Sequence, residues 1–413
     1  MTATAEESYD PFAAFDDIVG GSDRDPYAMF AERRRATPVW RGIVVNPDLR
    51  PPGDNEWVTF RYEDCSRVLR DGKTFSSAGY DSTIGVVMGH MLLGMDDPEH
   101  RRHRALVTGA FRERSLARWE PEFIAPICHE LIDRFCGRGE ADLVRELTFE
   151  LPVRVIARIL GLPDEDFVQF QRWSIELIGV AADIGRGLAA SASLRDYFAG
   201  IVAERRRDPQ DDVISDLVTA EIDGEHLDDE AIYSFLRMLL PAGAETTYRS
   251  TGNLLFLLLS HPDQLRAVTD DRTLLPQAIE ESLRLEPPLV SIARTATGDT
   301  ELSGVAIPAG AIVTPCLGSA NHDETRWDDP DRFDIFRPQV PHLSFAHGPH
   351  MCLGMHLARL ETRVLADAVF DRLPGLRLDP GDRDPHIRGL ALRSPTSVPV
   401  RFEPTPARSG AGG

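Results

Sequence analysis

The chain has 413 residues, 42% of them hydrophobic, enough to bury a large core. Its net charge of −21 excludes binding to nucleic acid or an anionic membrane by bulk electrostatics. The five cysteines, Cys65, Cys128, Cys136, Cys316 and Cys352, form no CxxC pair and fit a reducing cytoplasm rather than a disulfide framework.

In chain order, the sequence starts with MTATAEES, which is acidic and lacks the basic-then-apolar pattern of a signal peptide. Residues 1–10 are expected to be flexible, 11–405 to form one large domain undivided by any linker, and 406–413 to form a flexible tail. Strand-like pieces are few: WVTF at 57–60, short runs within VAIPAGAIVTPCL at 305–317, and SVPVRF near the end. Most of the rest has helical periodicity, so a mainly helical protein with small sheets is predicted. The longest aliphatic run, LLFLLL at 254–259, is too short to span a bilayer, and a cytoplasmic protein is expected.

DDPEHRRHR at 96–104 reads as a helix start with Asp97 as cap and Pro98 in the first turn. His100 and Arg104, four apart, share one face; Arg101 and Arg102 read as a solvated basic face. The longest predicted helix runs from about Asp229, capped by Asp228 or Asp229, to Ser260, where His261-Pro262 stops it. It would span roughly 45 Å. In its middle, Pro241 removes a donor to the Arg237 carbonyl and Gly243 loosens the next turn. A buried helix broken around Glu245, Thr246 and Thr247 suits a pocket better than a core. The blander reading is a simple proline kink.

EESLR at 280–284 places Glu281 and Arg284 three apart. The same ExxR spacing at Glu32–Arg35, Glu99–Arg102 and Glu204–Arg207 reads as exposed helical ion pairs, so spacing alone selects nothing. Only Glu281–Arg284 is followed by EPP and later by FDIFR at 333–337.

FAHGPHMCLG at 345–354 sets Cys352 among turn formers and near His347, His350 and His356. Zinc would draw ligand pairs from separate elements, and no second Cys/His cluster lies nearby. A buried structural thiol does not need the glycines. A heme thiolate does, because backbone N–H groups must be aimed at its sulfur. Phe345 would shield that sulfur, while Gly348 and Gly354 would let the backbone approach it.

On these residues the chain resembles the bacterial soluble cytochromes P-450 from about residue 25 to 403. FAHGPHMCLG matches the family's F-x-x-G-x-x-x-C-x-G heme loop, with Ala346 at a position that often holds another small residue. The resemblance implies heme b (iron protoporphyrin IX), with Cys352 as axial ligand. AGAETT at 242–247 resembles the family's oxygen-groove motif, with Ala242 beside the cofactor and Glu245 and Thr246 as an acid–alcohol pair. Pro241 departs from the branched aliphatic usual there. Glu281, Arg284 and Arg337 match a buried structural network. His100, Arg104, Arg294 and His350 match contacts to the heme propionates. The segment 84–93, IGVVMGHMLL, matches a region over the heme. Val87, Met88, Leu92, Leu289, Val290, Ile292 and Leu392 are expected to line an apolar substrate pocket.

The implied reaction inserts one oxygen atom of dioxygen into a hydrophobic small molecule and releases the other as water. Glu245 can relay protons, and Thr246 can hydrogen-bond reduced oxygen and order a water. A peroxide-driven peroxygenase and a non-enzymatic heme sensor remain as alternatives. Glu245-Thr246 favours dioxygen, and no appended signalling module is visible. No flavin, dinucleotide or iron–sulfur pattern occurs, so a separate ferredoxin with its reductase, or a flavodoxin, is the expected electron donor.

Overall fold

A 32-residue helix, Asp229–Ser260, runs through the middle of the protein. The computed structural model describes residues 25–44, 53, 55–178, 180, 183–379, 381 and 384–408. The flexible start expected at 1–10 lies outside the described residues, as do 409–413 of the expected tail. The described part of that tail is tied down: the Arg408 N–H donates to Asp133 Oδ1 at 3.0 Å.

Local chemistry sets both ends of the central helix. The Asp228 side chain accepts from the Ala231 N–H at 2.7 Å, and Pro262 opens the next helix after His261. The break expected at Pro241 is not there; the helix continues through it. A proline removes only one donor, and packing on both sides keeps the remaining turns in place. Gly243 does not loosen a turn. It admits a neighbouring helix, Glu150–Ile159, because a Cβ at Gly243 would lie 2.7 Å from Ile156 Cδ1. The helices Ile184–Arg207, Leu275–Leu285 and Met355–Arg372 also pack against the central helix.

The largest sheet has five short strands in the order Val39–Arg41, Glu56–Thr59, Ile312–Pro315, Arg294–Ala296 and Phe75–Ser76. Glu56–Thr59 and Ile312–Pro315 run parallel; the other pairings are antiparallel. The strand-like sequence runs fall here, at Val305–Ile307 and at Pro399–Arg401. The fold is thus mainly helical with small sheets, as predicted. Among the described residues no helix is long and apolar enough to cross a membrane.

The Glu281 network holds the segment leading to the cysteine loop. Arg284 binds Glu281 through two bonds of 2.7 and 2.8 Å and also donates to the carbonyls of Asn321, Pro330 and Arg332. Arg337 Nε reaches Glu281 at 3.3 Å. Both members of the central pair are buried, so removing either would strand a charge.

Candidate active site around Cys352

The loop after this network is closed by its own backbone. Ala346 N–H donates to Leu343 O at 2.8 Å, Met351 N–H to Gly348 O at 3.0 Å, and Cys352 N–H to Phe345 O at 2.9 Å. Asn321 pins its start, accepting from the Leu343 N–H at 2.7 Å and donating to Ser344 Oγ at 2.8 Å. Ala346 has φ +59°, a left-handed conformation that glycine adopts more readily. Gly348 serves a different purpose from the one expected. Its φ is +79°, and a Cβ there would lie 2.8 Å from Arg70 Cα and Leu69 O, so it packs the loop on the neighbouring helix rather than on the sulfur. Gly354 is the glycine that serves the sulfur, its backbone amide bonding to the Cys352 thiol.

Between this loop and the central helix lies a cavity that opens to solvent. Cys352 is accessible through that opening, yet protein surrounds the thiol and burial pushes its pKa up; the Gly354 amide, Arg104 and Arg359 pull it down. Phe345 lines the cavity, with the Arg359 guanidinium 4.4 Å from its ring centre on another side.

One wall carries basic side chains. The rings of His100 and His350 lie 3.9 Å apart, and Arg104 Nη2 donates to Met351 O at 2.6 Å. Arg294, fixed by its strand and bonded to Ala293 O, stands behind them and off the cavity wall. Burial pushes the His350 pKa down to about 3, with His100, Arg294 and Arg104 adding to the effect. His100 Nε2 is buried without a partner. Arg104 and Arg294 bring positive charge to this wall and the unpartnered His100 nitrogen can donate a hydrogen bond, a set that suits an anion such as a heme propionate. The residues present therefore fit the group. The helix carrying His100 starts at Glu99 without a side-chain cap. Asp97 does not cap it as expected; its carboxylate lies 3.8 Å from His100 Nδ1 instead.

Ala242, Thr246 and Thr247 of the central helix face the cavity, and Thr246 Oγ1 donates to Ala242 O at 2.9 Å. Glu245 does not line it. Successive helical residues point about 100° apart, and with no break at Pro241 the acid and alcohol cannot turn the same way. The buried Glu245 carboxylate lies 3.5 Å from Arg249 Nη2. Burial raises its pKa to about 7, against the pull of Arg249. Sequence reasoning missed Glu361, which lines the cavity, is 2% exposed, and has Oε2 without a partner. Its signal was a carboxylate on the apolar stripe of Leu357, Val364 and Leu365.

Of the expected pocket residues, Leu92, Leu289 and Ile292 line the cavity. Val87 and Met88 belong to the core instead. Val290 is fully buried among Phe30, Val58 and Phe60 on the far side of its strand-like segment. Leu392 bridges to Leu289 but is not on the wall. Phe111, Ile156, Phe235, Met238 and Leu239 complete the apolar wall and were not anticipated.

The Cytochrome P450 family model matches residues 166–389. Erythromycin C-12 hydroxylase of Saccharopolyspora erythraea is 40% identical over 370 residues, 86% of this chain and 91% of that protein. Steroid C26-monooxygenase of Mycobacterium tuberculosis is 38% identical over 384 residues, covering 91% and 96%. Among solved structures, cytochrome P450 CYP109Q5 from Chondromyces apiculatus superposes with a TM-score of 0.84 at 38% identity, covering 93% of this chain and 97% of that one.

Proposed function

Because the chain belongs to the cytochrome P450 family of heme-dependent monooxygenases, we propose that Cys352 is the axial thiolate and that the enzyme oxidises a largely hydrophobic small molecule. The observation that carries this reading is one cavity that brings together the Cys352 thiol, the His100–Arg104–His350 cluster and an apolar wall. When bound there, heme supplies reductive activation of dioxygen, with one atom going to substrate and the other leaving as water.

The chain's own groups do the rest. Arg104 neutralises propionate charge, His100 and His350 offer hydrogen bonds to it, and Arg294 adds positive charge behind them. Leu92, Leu289 and Ile292 hold apolar substrate and exclude water. Thr246, on the cavity wall, orders a water and offers a hydroxyl proton. Glu245 lies one helical step off the wall, holds a proton near neutral pH and passes it on through water. Electrons come from a separate ferredoxin and reductase, or a flavodoxin, and the protein works in the cytoplasm.

The peroxygenase alternative is less well supported, since it has no use for a wall hydroxyl backed by a carboxyl that titrates near 7. The test has two arms. Terpenoid, steroid, fatty and polyketide-like compounds are screened for a substrate-induced spin-state change of the heme spectrum. Hits are then turned over with NAD(P)H and a reductase–ferredoxin pair, or with peroxide. Product from the first system and little from the second supports the proposal; the reverse result overturns it.

A further inference from the structure

Phe345 joins Cys352 to a charged group outside the cavity. Its carbonyl accepts the Cys352 N–H at 2.9 Å, and its ring, part of the cavity wall, has the Arg359 guanidinium 4.4 Å from its centre. Arg359 belongs to the helix Met355–Arg372, which begins three residues after the cysteine, and does not itself line the cavity. Its fork is fixed by Glu280: Nε donates to Oε1 at 2.6 Å and Nη2 to Oε2 at 2.8 Å. Glu280 is fixed in turn by His342. The Ser344 N–H can only donate, so His342 Nδ1, 3.2 Å from it, accepts; the proton on Nε2 then goes to Glu280 Oε2, also at 3.2 Å. Burial opposes the charge on Glu280, but the bonds from Arg359 and His342 prevail and pull its pKa down to about 2. Glu280 and Arg359 are therefore a true ion pair near neutral pH.

With side chains 31% and 25% exposed, such a pair adds little to stability. Its consequence lies in its orientation. Of the two groups, Arg359 is the one that acts on Cys352: burial pushes the thiol pKa up, and Arg359 is among the groups that pull it back. Three elements cooperate in aiming it, since Glu280 comes from the helix Leu275–Leu285, His342 from just before the cysteine loop and Arg359 from just after it. We propose that Arg359, aimed by Glu280 and His342, helps to set the reduction potential of the bound heme by placing positive charge against the Cys352 thiolate. Taking one electron from the donor protein makes the heme–thiolate unit more negative by one charge. A nearby cation favours that form, and the Glu280 carboxylate tempers the cation. The inference rests on Cys352 as axial ligand and adds what tunes it. Arg359 and Glu280 touch neither substrate nor iron; they act through the sulfur.

The test is a redox titration of the heme-loaded enzyme, with dithionite as reductant and mediator dyes, read by the heme spectrum. Arg359→Met should shift the ferrous-to-ferric ratio at a fixed potential by about fivefold toward ferric, the scale of one screened charge. Glu280→Gln keeps the shape of the acid and leaves the arginine uncompensated, so it should shift the ratio by a similar factor toward ferrous. The opposite signs are decisive, because a loosened loop would move both variants the same way. Arg359→Lys keeps the charge and should lie between Arg359→Met and wild type. Shifts of one sign, no shift in either variant, or a lysine variant no closer to wild type than the methionine one overturn the inference. If Arg359→Met fails to fold or to take up heme, Glu280→Gln decides: a shift toward ferrous supports the inference, and an unchanged or opposite one removes it. The ferrous–CO spectrum separates the inference from its premise. A wild type without the thiolate band defeats the Cys352 reading itself; unchanged potentials with that band intact defeat only the role of Arg359.

Discussion

His100 and His350 have ring centroids 3.9 Å apart with their planes tilted by 37°, one from the helix Glu99–Thr108 and one from the cysteine loop. His350 Nε2 lies 3.2 Å from Ser77 Oγ, whereas His100 Nε2 has no protein partner and is open to a propionate. Replacing His100 or Arg104 with Leu should speed heme loss by about tenfold or more, the scale expected for losing a hydrogen bond to a charged group. Transfer of heme to an excess of apo-acceptor protein measures this. Unchanged loss in both variants would take the propionates elsewhere.

Cys352→Ala and Cys352→His should lose the red-shifted Soret band of a ferrous–CO thiolate complex. A variant that keeps the band would show that the ligand is another residue.

Glu245 gives a pH prediction with a defined sign. Its carboxyl pKa is raised from the ordinary glutamate value of 4.5 to about 7, so the folded protein holds a proton that the unfolded chain has released. Stability from this group is full below about 4.5 and is lost as pH rises through 7, a change of about 3 kcal/mol. Denaturant unfolding of Glu245→Gln should show the variant gaining on wild type between pH 5 and pH 8. Turnover should fall as well, because the amide carries no transferable proton. A constant stability difference across that range would mean that Glu245 is ionised throughout.

Thr246→Ala should still consume NAD(P)H, but with product per NAD(P)H reduced by about tenfold and peroxide or water formed in its place. Coupling equal to wild type would remove the hydroxyl from proton delivery.

Leu289 and Val290 are neighbours with opposite surroundings, and the same substitution should separate them. Val290→Phe overfills a packed site, where Gly318 already approaches Val290, and should destabilise by about 1–3 kcal/mol with little specific effect on ligand affinity. Leu289→Phe protrudes into the cavity and should change substrate affinity at nearly constant stability. Paired denaturation and ligand titration distinguish the two.

The outward arginines give a prediction about electron delivery. Arg102 has only a loose, exposed contact of 3.8 Å with Glu225, and Glu99 is engaged with His90. The Arg104–Met351 bond sets this helix beside the cysteine loop. Arg102→Glu should slow first-electron transfer from an acidic ferredoxin at low salt, and the difference should vanish as salt screens it. Stopped-flow reduction equal to wild type at low ionic strength would place docking elsewhere.

What the sequence revealed was local. The central helix was readable to its ends because Asp228, His261 and Pro262 act over a single turn. The cysteine loop was readable because its turn formers and its ligand are contiguous. What it hid depended on neighbours distant in sequence. PPLVSIA is apolar without a polar marker, so nothing in it tells which side chains face the cavity and which face Phe30 and Phe60. Gly348 reads as a glycine for the sulfur until Leu69 and Arg70 are seen against it. Pro241 predicts a break by its own chemistry, but packing on both sides carries the helix through.

The cysteine loop is fastened by its own backbone bonds and by Asn321. Its ordering entropy is therefore a cost of folding the chain and not of taking up the cofactor. A receptor for the iron built from bonds within the chain is preorganised by folding. Amide exchange at Cys352 should consequently be slow in the apo-protein already, and binding should protect it only a little further.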